Sequence, residues 1–95
     1  MPDDADPPTD AYGQARRCIE IIADALAEAG ASLDDVVRTR IYVTSPELIE
    51  EAGRAHREAF GNAKPAMTGI VVGFLDPRWL VEIEADAILD THGVR

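Results

Sequence analysis

The chain has one cysteine, Cys18, in 95 residues. A single thiol closes no intrachain disulfide, which excludes a secreted disulfide scaffold. On an apolar helical stripe it reads as a small core residue. No apolar run approaches the roughly 18 residues that a membrane span requires. The N-terminus, MPDDADPPTD, is acidic and Pro-rich, the reverse of a signal peptide, so the expected compartment is the cytoplasm. Basic charge is scarce. The formal net charge is −9, and setting aside the four aspartates of the first ten residues leaves −5 on the remainder. Such a body repels phosphate backbones, so neither nucleic acid nor membrane is an expected partner. Two histidines and one cysteine are too scattered for a zinc site. No glycine-rich loop precedes a helix, which removes the phosphate-binding motifs.

Ninety-five residues allow one small domain with a thin core, and association with further copies is an expected source of stability. Residues 1–9 read as a disordered acidic tail, 10–89 as the domain and 90–95 as a second tail. From Asp10, the residues Ala15, Cys18, Ile19, Ile22, Ala23, Leu26 and Ala29 recur at helical spacing, predicting an amphipathic helix with Gly30 at its end. Ser32 and Asp35 bracket a turn. Residues 36–44 alternate and are β-branched, predicting a strand with Val37, Thr39, Ile41 and Val43 on one face and Arg38, Arg40 and Tyr42 on the other. Ser45 caps and Pro46 opens a second helix that runs to Phe60.

A strand is expected from Ala66 to about Phe74, a turn at Asp76-Pro77-Arg78-Trp79, and a strand over 80–89. The order helix-strand-helix-strand-strand gives a mixed α/β (α+β) fold with both helices on one face of the sheet. The strands around the second helix should be parallel, and the last two should be antiparallel neighbours.

On this reading the uncovered face carries Met67, Gly69, Val71 and Gly73, then Glu82, Glu84, Asp86 and Ile88, then Arg38, Arg40 and Tyr42. Two glycines inside one strand admit either the close approach of a ligand or another chain, or a local bulge. The mixed face suits burial against copies of the same chain. His56 admits a catalytic base or a structural side chain, and Trp79 a packed or an exposed position. His92 stands in the C-terminal tail with no motif around it.

Gln14, Leu26, Ala29-Gly30-Ala31-Ser32, Asp35-Val36-Val37, Ile41-Tyr42-Val43, Phe60, Pro65-Ala66 and Val81-Glu82-Ile83-Glu84-Ala85 together resemble the RidA/YjgF family, which includes imine deaminases. The resemblance implies a chorismate-mutase-like fold, a homotrimer around a threefold axis and clefts between subunits that bind a small molecule such as a keto or imino acid. It implies catalysis without metal or organic cofactor, in which an arginine directly after Pro-Ala grips a carboxylate and a glutamate of the last strand positions water.

Glu82 matches that glutamate and is the candidate catalytic residue. Met67 stands where the arginine would be, and methionine cannot form the bidentate pair. Met67, Gly69 and Arg40 are the candidate substrate-binding residues. Arg40 either supplies a replacement cation or pairs with an acid of the last strand. The expected function is a homotrimeric metabolite-binding protein without the usual 2-imino acid deamination. The alternatives are hydrolysis of a different imine or enamine with Glu82 orienting water, and a purely structural subunit. The family pattern also implies strands ahead of the first helix, where this chain has only the Pro/Asp stretch.

Overall fold

A computed structural model of the chain describes residues 7–89. The tails assigned to residues 1–9 and 90–95 fall largely outside that range, as does His92. The elements are α1 (Ala11–Glu28), β1 (Val36–Val43), α2 (Ile49–Phe60), β2 (Ala66–Val71) and β3 (Val81–Ala87), with short 3-10 turns at Leu33–Asp35 and Pro46–Leu48. The architecture is a three-stranded mixed sheet with two helices against one face.

Both ends of α1 have a local cause. Asp10 caps α1 by accepting from the Gly13 N–H, 3.0 Å away. At the other end the Gly30 N–H donates to the Ala27 carbonyl and the Ala31 N–H to the Leu26 carbonyl, while Gly30 adopts φ +82°. That is a Schellman closure, and its left-handed residue is the glycine the sequence supplies. Ser32 and Asp35 form a reciprocal capping box around the 3-10 turn that leads into β1. Ser45, expected as a cap, makes no side-chain cap bond, and α2 begins only after the 3-10 turn opened by Pro46.

The sheet order is β2-β1-β3, with β1 parallel to β2 and antiparallel to β3. The last two strands are therefore not neighbours, contrary to the expectation drawn from the short connection. The Asp76–Trp79 turn exists, closed by the Trp79 N–H donating to the Asp76 carbonyl at 3.1 Å. It sits in a connection that steps over the end of β1: the Val72 N–H donates to the Val43 carbonyl, and the Thr44 N–H to the Leu80 carbonyl.

The core lies between the sheet and the helices. Ala15, Cys18 and Ile19 of α1, Ala52, Ala55 and Phe60 of α2, Ile41 and Val43 of β1, and Val81 and Ile83 of β3 are buried together. A β-bulge between Val36 and Arg38 breaks the alternation at the start of β1. It turns Val36 into the core at 2% exposure and leaves Val37, expected on the core face, 45% exposed.

Gln14 was the least expected core member. It is fully buried on the apolar stripe of α1. Its Nε2 donates to the carbonyls of Pro8 (2.7 Å) and Arg78 (2.9 Å), and its Oε1 accepts from the N–H groups of Leu80 (2.6 Å) and Val81 (3.2 Å). One amide thus ties the segment ahead of α1, the crossover and the start of β3 to a single helix. Trp79, left open by sequence reasoning, is buried at 4% exposure beside this tie.

Candidate functional site

The register decides which side chains share a face. In the parallel pair, Thr39 aligns with Met67, Arg40 with Thr68, Ile41 with Gly69 and Tyr42 with Ile70. Partners in register point to the same side of the sheet. Thr39 and Ile41 are buried under the helices, so Met67, Gly69 and Val71 lie on the helix side. A Cβ added to Gly69 would sit 3.2 Å from Ile49 Cδ1 of α2, which fixes the direction. The sequence reading of β2 therefore has its two faces exchanged. Met67 and Gly69 do not share a face with Arg40 and Glu82, while Thr68 and Ile70 do. The glycine makes room for Ile49, a contact within the chain, although Met67 and Val71 on either side remain 45% and 55% exposed.

The antiparallel partner of β3 is β1 and not β2 as expected, but the face assignment of both strands matches the sequence reading. Tyr42 aligns with Glu82, Arg40 with Glu84 and Arg38 with Asp86. Arg40 reaches Glu84 (3.4 Å) and Asp86 (3.1 Å), and the Tyr42 hydroxyl donates to Glu84 at 2.8 Å. That bond and the nearby carboxylate hold the Tyr42 phenol above its ordinary range. The guanidinium of Arg40 is thus occupied by the acids of β3. Glu82, half-buried on the same face, makes no side-chain hydrogen bond or ion pair among the described residues. Of the three acids on the open face it alone keeps a free carboxylate.

His56 stands apart from this face. It is buried under the sheet, 2.7 Å from Thr39 Oγ1 through Nε2, with its ring 4.7 Å from that of Phe60. Burial, reinforced by the neighbouring Arg57, pushes its pKa below the usual histidine value. A buried ring hydrogen-bonded to Thr39 and packed near Phe60 reads as structural. Cys18 is likewise buried, its thiol facing the Val81 carbonyl, and desolvation raises its pKa. Among the described residues no group of three or more His, Cys, Asp or Glu side chains is arranged to hold a metal ion. No helix among them is long and apolar enough to cross a membrane.

Glu82 and Met67 occupy opposite faces of strands that β1 separates. No cleft within one chain contains both. The profile of a protein family described as Endoribonuclease L-PSP matches residues 2–89. The chain belongs to this family, the RidA/YjgF family. A solved RidA/YjgF relative, a member of the YjgF/YER057c/UK114 family from Mycobacterium tuberculosis, is 44% identical with a TM-score of 0.84, covering 88% of this chain and 72% of its own. A RutC family protein of Pyrococcus abyssi is 39% identical over 78% of this chain and 58% of its own length. An uncharacterised protein of Streptomyces coelicolor is 37% identical over 82% of this chain and 59% of its own. The chain thus spans about three-fifths of the length of the curated relatives it matches. These RidA/YjgF likenesses account for the mixed sheet with both helices on one side.

Proposed function

We propose that this chain is the subunit of a cytoplasmic homotrimer that binds a small metabolite in clefts between copies and does not carry out the usual 2-imino acid deamination. The observation that carries the reading is topological. The residue after Pro65-Ala66 and the glutamate of the last strand, which the family resemblance brings together, stand on opposite faces and outer strands of one protomer. They meet only if one copy supplies Met67 and another supplies Glu82. The uncovered face, with its internally paired Arg40, Glu84 and Asp86, gives copies a surface to pack on. Met67 offers no fork for a carboxylate, and losing such a charge-assisted pair costs about 2–5 kcal/mol of binding. RNA cleavage, which the family's description names, fits this surface poorly. The formal charge is −9, and the open face sets Arg38 and Arg40 against three acids.

Sedimentation at micromolar concentration should give about three times the 10.3 kDa chain mass. A lone 10.3 kDa species would end the reading. Imino acids generated in situ by an amino-acid oxidase should release ammonia at the same rate with and without the protein. An acceleration abolished by Glu82→Ala would replace the binder with a hydrolase in which Glu82 orients water.

A further inference from the structure

The β2 wall differs from the rest of the chain in charge. From Pro65 to Leu75 no side chain is charged, in a protein that is 28% charged overall. Of the six large apolar residues exposed among the described residues, three lie in this segment: Met67 at 45%, Val71 at 55% and Leu75 fully exposed. Apolar exposure gathered in one place marks a binding surface more often than chance scatter does. The other wall of the cleft proposed above is β3. Its Glu84 and Asp86 are satisfied by Arg40 and Tyr42, and Glu82 is the acceptor left over.

Resting on that intersubunit reading, we infer that the site takes a nitrogen compound with an apolar body and no carboxylate, an amide, amine or imine whose N–H donates to Glu82. An apolar wall lowers the local dielectric and strengthens a hydrogen bond to an ionised acceptor. The same wall raises the cost of burying an anion that has no cation to meet it. With Arg40 paired to Glu84 and Asp86, the other cation on the open face is Arg38, aligned with Ala66 on one side and Asp86 on the other. It faces away from Met67 within its own protomer, and its antiparallel neighbour is an acid. Three acids against two arginines leave the charge on the face of Glu82 net negative, which favours a neutral or cationic head group.

Three probes share a ring and differ only in the head: benzamide, benzylamine and benzoate. Titrated calorimetrically into the assembled protein, benzamide and benzylamine should bind at least about tenfold more tightly than benzoate. Glu82→Gln should remove the preference for benzylamine, and Met67→Arg, at a half-exposed position that tolerates a long side chain, should raise benzoate affinity. Benzoate binding tightest to the unmodified protein would overturn the inference alone, and its loss in Arg38→Ala would identify the cation responsible. Binding of none of the three by a protein of trimeric mass would overturn both the inference and the metabolite-binding reading beneath it.

Discussion

Replacing Gln14 isolates the part of the fold that depends on one side chain. Gln14→Leu keeps most of the volume and removes every hydrogen bond. It leaves the N–H groups of Leu80 and Val81 without acceptors, and Val81 is fully buried. It also strips a donor from the carbonyls of Pro8 and Arg78, which lie nearer the surface, where water can replace it. An unsatisfied buried polar group costs about 1–3 kcal/mol. Two stranded donors and two partly compensated acceptors therefore predict a loss of about 3–5 kcal/mol. For a domain of this size each kcal/mol lowers the melting temperature by about 4–8 °C, so the fall should be at least about 12 °C. Urea titration followed by circular dichroism at fixed protomer concentration measures the loss. Emission from Trp79, the chain's one tryptophan, reports whether the crossover has been released. A Gln14→Glu variant retains the acceptor but buries a charge, so it should be more stable at pH 5 than at pH 8 relative to the parent. A Gln14→Leu penalty below about 1 kcal/mol, with unchanged emission, would refute the reasoning, because it would mean that the four contacts add nothing net.

The buried His56 has its pKa lowered, so the unfolded chain takes up its proton first as pH falls. Stability should decline from about pH 6.5 downward, and denaturation midpoints at pH 7.5 and 5.5 should converge in His56→Gln, which retains a hydrogen-bonding partner for Thr39. At Gly30 a Cβ meets nothing within 4 Å but φ is +82°, so Gly30→Ala should cost about 1 kcal/mol from backbone conformation alone, read from the urea midpoint. Arg40 forms partly exposed ion pairs, so Arg40→Met should change protomer stability by less than about 1 kcal/mol. It should nevertheless weaken assembly measurably in a sedimentation dilution series, because Glu84 and Asp86 would then meet the interface uncompensated.

The sequence was legible where burial imposes a period. The stripes of α1 and α2 and the alternation of β3 each have one face against the core, and those elements appear within a few residues of where periodicity places them. β2 resisted for the same physical reason. It is an edge strand with little covering it, and Ala-Met-Thr-Gly-Ile-Val presents apolar residues in both phases, so neither phase identifies the core side. Gly69, with no side chain, carries no polarity signal at the position that faces Ile49. The bulge at Val36 slipped the alternation by one residue, a shift with no marker in a Val-Val pair. The neighbour relation of β2 and β3 failed because turn chemistry at Asp76-Pro77 specifies a reversal and not where the reversed chain lands. Gln14 could have been noticed: an amide flanked by Ala11, Ala15 and Cys18 on a buried stripe must find partners for both ends of its side chain. Glu82 was picked out by resemblance, and what distinguishes it physically, the absence of a partner, emerges only from the register that gives Arg40 to its neighbours.

The exchange of faces on β2 changes what the two halves of the proposed cleft require of each other. If Met67 and Glu82 shared a surface, a monomer would bind ligand and association would be incidental. Because β1 stands between them, a ligand touching both walls binds only the assembled form, and binding and assembly become linked equilibria. A ligand at 100 times its dissociation constant then stabilises the assembly by about 2.7 kcal/mol per cleft. The prediction is sharp under dilution. At protomer concentrations where sedimentation detects dissociation, saturating benzamide should restore the larger species, and apparent affinity should fall as the protein is diluted. An affinity independent of protein concentration across the dissociation range would show that the binding surface is complete within one chain. Glu82 and Met67 could then not both belong to it.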